Sequence, residues 1–86
     1  MDVFDKCNAV TDSKTLVEFL NLLAEDFRKN QNNEQEWCNG TVDEFLEAIA
    51  GWINDNADPP SKDPINWDPQ KAAEVAKIFY IGKIYE

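Results

Sequence analysis

The side chains that could bind an ion or catalyse a reaction are mainly carboxylates, because the chain contains no histidine. That absence removes the commonest general base, the Ser-His and Cys-His nucleophile arrangements and nearly all histidine-containing zinc sites. Two cysteines are too few for a four-thiolate site, and the sequence has no phosphate-binding loop, dinucleotide fingerprint or EF-hand spacing. We therefore expect a protein that is not an enzyme, with no catalytic residue and no cofactor.

Aspartates crowd a proline-containing segment in the second half of the chain, and their oxygens are ligands that hard cations accept. Aspartate also favours turns and helix caps, since its carboxylate binds nearby backbone N–H groups. We favour the second interpretation and predict no metal site. A metal-dependent regulator or enzyme is the competing hypothesis. The aspartates concerned are Asp55, Asp58, Asp63 and Asp68.

The charge of the central region is one-sided. The formal net charge is −9, and between Asn30 and Ser61 there are seven acidic residues and no lysine or arginine. Such a field disfavours nucleic acids and anionic membranes, which bind through clustered basic residues, and it raises the on-rate of a basic protein. We expect a protein partner, with a basic one electrostatically favoured. Ordinary solubility is the alternative reason for the charge.

The N-terminus lacks the basic start and the apolar run of a signal peptide, and no segment approaches the roughly 20 apolar residues that span a bilayer. We expect a cytoplasmic protein. Cys7 and Cys38 are then expected to be free thiols, since disulfides belong mainly to exported proteins.

The most clearly predicted secondary-structure element is a helix from Val42 to about Asn54, which carries several of the central acidic residues. Thr41 and Glu44 have the spacing of a capping box. At ~100° per residue its apolar residues share one arc, and its acidic residues lie on the other side. Asp43, Glu44 and Glu47 are therefore candidate partner-binding residues. The apolar arc contains Val42, Phe45, Leu46, Ile49, Trp52 and Ile53.

Two helices are predicted before this one. Residues 1–10 have apolar positions at near-helical spacing and predict a short helix. Thr11, Asp12 and Ser13 supply N-cap residues for a longer helix from Ser13 to Lys29. Leu22 lies off the apolar stripe of that helix and is predicted to be a surface or contact residue. The stripe contains Leu16, Phe19, Leu20, Leu23 and Phe27.

The chain is expected to end in a long loop followed by a helix. Residues 57–69 hold all four prolines and predict an ordered loop fixed by Ile65 and Trp67. Asp68 and Pro69 form a favoured helix start, and the helix runs to about Ile84. It is apolar on two sides, so it is either central or exposes a contact surface. The second side supplies further candidate partner-binding residues, namely Ile78, Ile81 and Tyr85.

These elements predict one all-α domain over residues 1–86. It would be a small bundle of three main helices, or four with the N-terminal one, with the long proline-containing loop before the last helix. Trp52 is expected to be largely buried, because it lies on the apolar arc. The predicted core comprises Phe19, Leu23, Phe27, Trp37, Phe45, Ile49, Trp52, Trp67 and Phe79.

Three stretches resemble a family of small bacterial proteins described only as a domain of unknown function. Residues 10–23 resemble its opening helix, and residues 37–55 its W-x-N-x-T…FL-x-A…W segment. Residues 65–86 resemble its closing helix, which ends in Tyr-Glu. The resemblance implies a small helical domain and carries no catalytic role to any residue here.

Taken together, the sequence predicts a non-enzymatic protein-binding module. A more specific hypothesis is an immunity-type protein that neutralises a basic toxin, since an acidic surface suits that partner.

Overall fold

The computed structural model describes residues 2–85, and all regular secondary structure in that range is helical. The all-α prediction is confirmed, and the four α-helices match the predicted count when the N-terminal one is included. The third helix ends two residues later than expected, at Asn56. The elements are α1 (Val3–Asn8), α2 (Ser13–Lys29), α3 (Val42–Asn56), a 3-10 turn (Pro60–Lys62) and α4 (Pro69–Ile84).

The chain divides into two compact units, and the division falls inside α3. The N-terminal unit, Met1–Ile49, contains α1, α2 and the first half of α3. The C-terminal unit, Ala50–Glu86, contains the rest of α3, the 3-10 turn and α4. The single-domain organisation stays a prediction. Among the helices of residues 2–85, none is long and apolar enough to cross a membrane.

A capping box starts α2. The Asp12 carboxylate accepts a hydrogen bond from the Thr15 backbone N–H at 2.9 Å, and the Thr15 hydroxyl oxygen accepts one from the Asp12 N–H at 3.0 Å. Two orphan N–H groups are thereby satisfied. At the other end, the Asn30 side-chain amide donates to the Asp26 carbonyl oxygen at 2.9 Å. The helix bounds are therefore set by local bonds, which is why the sequence could predict them.

The predicted apolar stripe of α2 needs one correction. Leu20, placed on the stripe, is exposed, whereas Leu22, predicted to be a surface or contact residue, is half-buried. The reason is that α1 packs against α2. Phe19 lines a depression together with α1 residues, and Leu22 lies three positions further on the same side of the helix.

The N-terminal unit contains an aromatic cluster of Phe27, Trp37 and Phe45. The Trp37 ring meets the edge of Phe27, with centroids 5.1 Å apart and an interplanar angle of 73°. It stacks on Phe45 at 6.2 Å. Its indole N–H donates to Asp26 Oδ2 at 2.8 Å. Trp37 thus joins the loop before α3 to the last turns of α2.

The start of α4 in the C-terminal unit follows the prediction, and the loop before it departs from the prediction in one respect. Residues 60–62 form a 3-10 turn where only loop was expected. Ile65 and Trp67 are half-buried, and Asp63 Oδ1 accepts a bond from the Ile65 N–H at 2.9 Å. Asp68 caps α4 by accepting from the Lys71 N–H at 2.7 Å, with Pro69 as the first helical residue. Asp63 and Asp68 are therefore turn and cap residues, and Asp55 lies within α3 instead of the loop.

The residues predicted to form the core are at most half-buried in the structure. No residue in the described range 2–85 is fully buried. Trp52 is 50% exposed and Phe79 is 45% exposed, so the prediction that these two lie in the core is wrong. Two small compact units have a high ratio of surface to volume, which leaves large side chains partly uncovered. The remaining predicted core residues are half-buried: Phe19, Leu23, Phe27, Trp37, Phe45, Ile49 and Trp67.

We expect Trp37→Ala to destabilise the protein far more than Trp52→Ala. Trp37 loses two aromatic contacts and leaves Asp26 without its donor, so the expected cost is about 2–3 kcal/mol, below the ~3–5 kcal/mol of a fully buried tryptophan. Trp52→Ala should cost about 1 kcal/mol or less, the typical value for a point substitution. Urea unfolding followed by circular dichroism measures both. Equal losses would contradict the assignment of the aromatic cluster.

The Asp12 cap should give stability a measurable dependence on pH. Bonds from the Thr15 backbone N–H and then the Thr15 hydroxyl lower the pKa of Asp12 below its ordinary value. A carboxyl with a lowered pKa in the folded state contributes stability above its unfolded pKa and loses it as pH falls through the folded pKa. Asp12→Asn keeps a capping oxygen but cannot ionise.

The parent should therefore melt above Asp12→Asn near pH 7, and the gap should close below about pH 4, near the ordinary pKa of aspartate. Thermal melts of both proteins between pH 2 and 7 provide the measurement. A gap that stays constant over that range would show that the carboxylate charge has no part in the cap.

Candidate functional site

The start of α3 differs in detail from the predicted capping box. The Thr41 hydroxyl oxygen accepts a long bond, 3.4 Å, from the Glu44 backbone N–H. The Glu44 carboxylate, however, accepts from the Thr41 hydroxyl at 2.6 Å, and not from the Thr41 backbone. Asp43 Oδ1 lies 2.6 Å from the same hydroxyl. Because a hydroxyl carries one hydrogen, Asp43 and Glu44 compete for it.

This arrangement keeps the first turn of α3 negatively charged. The Thr41 hydroxyl bond, followed by the Glu44 backbone N–H, lowers the pKa of Asp43. Asp43, Glu44 and Glu47 are all exposed and lie in the first two turns of α3, within the N-terminal unit. We call these three residues the acidic face. The structure places them on the solvent side of the helix, as the periodicity predicted.

Beside α3, the N-terminal unit contains an open apolar groove of about 290 Å³. Its wall from α2 contains Leu20, Leu23, Ala24 and Phe27. Its other walls come from Trp37 and from the segment that leads into α3. Within the described residues, no charged side chain lines the groove, and its polar members are Asn39 and Thr41. The lining is completed by Gly40, Val42 and Phe45.

The groove was not predicted, although four of its lining residues were predicted core residues. Leu23, Phe27, Trp37 and Phe45 were expected in a closed core, and the structure leaves one side of them uncovered. The relevant signal lies between Arg28 and Glu36, where the chain has no apolar residue. That polar loop has nothing with which to cover the groove, so a gap beside Trp37 could have been inferred from it.

The last helix exposes its apolar residues on more than one side. Ile78, Ile81 and Tyr85, the candidate contact residues, are all exposed in the C-terminal unit. Phe79, which was assigned to the core, is exposed as well, whereas Val75 is half-buried. The alternative in which α4 exposes an apolar surface therefore fits the structure better than a central helix. Glu86, the last residue of the Tyr-Glu ending, lies outside the described residues.

The side chains that were considered for redox or metal chemistry are dispersed. Cys7 and Cys38 are both free and exposed. Across residues 2–85, no three cysteine, aspartate or glutamate side chains are grouped so as to hold a metal ion. The structure places the acidic face and the groove within one unit, and it places Ile78, Ile81 and Tyr85 on α4 and the residue that follows it in the other.

The chain was compared with known proteins and with family models. No curated protein and no solved structure matches it. One family model does match, and its residues include α2, α3 and α4, whereas α1 precedes the matched region. The match extends over well more than half of the chain. The chain therefore belongs to the family of unknown function DUF7660, whose model matches residues 12–86.

Proposed function

We propose that this protein is a non-enzymatic module that binds a protein partner through the acidic face, and that the partner surface is basic. The observation that carries the proposal is the exposure of Asp43, Glu44 and Glu47 in a stretch without lysine or arginine from Asn30 to Ser61. No cation of that stretch can neutralise the acidic face, so its field extends into solvent.

Electrostatics gives such a face a specific role. Exposed charges act mainly on the association rate, and salt screens them beyond about 10 Å at 0.1 M. The lowered pKa of Asp43 keeps that carboxylate ionised well below neutral pH. A partner with clustered lysine and arginine would therefore be attracted over the whole physiological range.

The exposed apolar side chains of α4 support the same class of function. Contiguous apolar patches at a protein surface mark sites of interaction with proteins, membranes or ligands. Ile78, Ile81 and Tyr85 are therefore proposed as a second contact region. An immunity-type protein that neutralises a basic toxin is the more specific form of this proposal. A metal-dependent regulator or enzyme has no comparable observation in its favour.

The first test identifies the chemistry of what the protein binds. The parent protein is immobilised and used to select binders from a displayed library of random 12-residue peptides. We expect the enriched peptides to be rich in lysine and arginine, because they must approach an uncompensated acidic surface. Enrichment of neutral or acidic peptides, or no enrichment at all, would overturn the proposed function.

Charge reversal then locates the binding surface. In the variant Asp43→Lys, Glu47→Lys, Glu44 is kept because its backbone N–H and carboxylate both bond Thr41. Association of a selected basic peptide at low salt should slow by about tenfold or more. The rate should also lose most of its dependence on salt. Surface plasmon resonance at two salt concentrations measures both effects.

A matched control separates local charge from net charge. Glu18→Lys, Glu25→Lys changes the net charge by the same amount at exposed positions of α2. We expect this control to retain most of the parent association rate. If both double variants slow the peptide equally, the acidic face is only part of a general negative charge.

A further inference from the structure

We propose that the groove of the N-terminal unit takes one large apolar side chain of the basic partner segment. Basic side chains of the partner segment would then contact the acidic face, and one apolar side chain of the same segment would enter the groove. This inference rests on the proposed function and adds the chemical class of the residue that enters the groove.

The composition of the groove selects a neutral, apolar occupant. Its volume of about 290 Å³ is near the lower limit of pockets that bind small molecules, which suits a single side chain. Burial of a charged group there would remove its hydration without supplying a counter-charge, at a large cost in free energy. An aliphatic or aromatic side chain has no such cost and gains from leaving water.

The Trp37 wall of the groove is positioned by three contacts. Trp37 is fixed by the edge of Phe27, by the stacked ring of Phe45 and by the bond from its indole N–H to Asp26. Because Asp26 already satisfies that N–H, the ring presents an apolar surface to the groove. A wall that is rigid before binding reduces the entropy lost on association, and aromatic pockets of this kind hold binding hot spots.

The groove and the acidic face share one stretch of chain. Thr41, Val42 and Phe45 line the groove, and Asp43 follows Val42 directly. Val42 is 77% exposed, so it forms an apolar edge between the two regions. A basic segment that lies along the first turn of α3 is within reach of both.

Charge complementarity also decides between possible occupants. A second copy of this chain would carry the same net charge of −9 and the same acidic face to the interface. Like charges brought together across an interface are unfavourable, whereas a cationic segment is attracted. The basic partner segment is therefore the occupant to which we commit.

The test fills the groove without touching the acidic face. Ala24 lines the groove and is exposed on α2, so Ala24→Leu occupies space there with a good helix former. The control is Ala73→Leu, the same substitution at an exposed position of α4 outside the groove lining. Melting temperatures of both variants should lie close to that of the parent.

The probes are the basic 12-residue peptides selected on the parent, each with a version in which its large apolar residue is replaced by alanine. We expect Ala24→Leu to weaken binding of the original peptide by about tenfold or more, because the loss of even one methylene contact in an apolar pocket has roughly that effect. Ala73→Leu should leave the Kd within about twofold of the parent value. The alanine version should bind the parent weakly and should lose little more on Ala24→Leu. That non-additivity is the mark of a direct contact.

The outcomes separate the two proposals. If no basic peptide binds the parent, the proposed function itself fails. If basic peptides bind but Ala24→Leu and Ala73→Leu behave alike, the groove inference is wrong while the proposed function stands. The inference also fails if the selected peptides share no large apolar residue, or if the parent self-associates and Ala24→Leu makes it monomeric.

Discussion

The placement of Trp37 is the constraint on which the rest of the N-terminal unit depends. The polar stretch from Asn30 to Glu36 has no apolar side chain, so it cannot form a hydrophobic contact of its own. Trp37 follows that stretch and supplies the missing anchor. Its ring lies against Phe27 and Phe45, its indole N–H is bonded to Asp26, and its backbone N–H donates to the Asn33 carbonyl oxygen at 2.9 Å.

Two features of the site follow from this one anchor. Trp37, Phe27 and Phe45 all line the groove, so the aromatic cluster forms part of its wall. Because the anchor joins the last turns of α2 to the start of α3, the first turn of α3 has a fixed position beside the groove. The acidic face is then held where apolar and charged contacts with one partner segment are both possible. Half-buried aromatic residues thus contribute to stability and to the proposed binding at the same time.

The helix bounds could be predicted because they depend on neighbouring residues. Asp12 caps α2, and Asp68 with Pro69 starts α4; both bonds join residues three positions apart. Burial could not be predicted in the same way. Trp52 lies on the same apolar arc as Phe45, yet it is half-exposed, because periodicity identifies an apolar side of a helix and not what covers it. The groove was missed for the same reason, although Leu23, Phe27, Trp37 and Phe45 in its walls were among the predicted core residues.

The bond between Trp37 and Asp26 can be tested directly by NMR, because the three tryptophans give separate indole N–H signals. We expect the Trp37 indole N–H to exchange with solvent much more slowly than that of the half-exposed Trp52. In Asp26→Ala, Trp37 should lose this protection while Trp52 is unchanged. Exchange of the Trp37 N–H as fast as that of Trp52 in the parent, or protection that survives Asp26→Ala, would contradict the account.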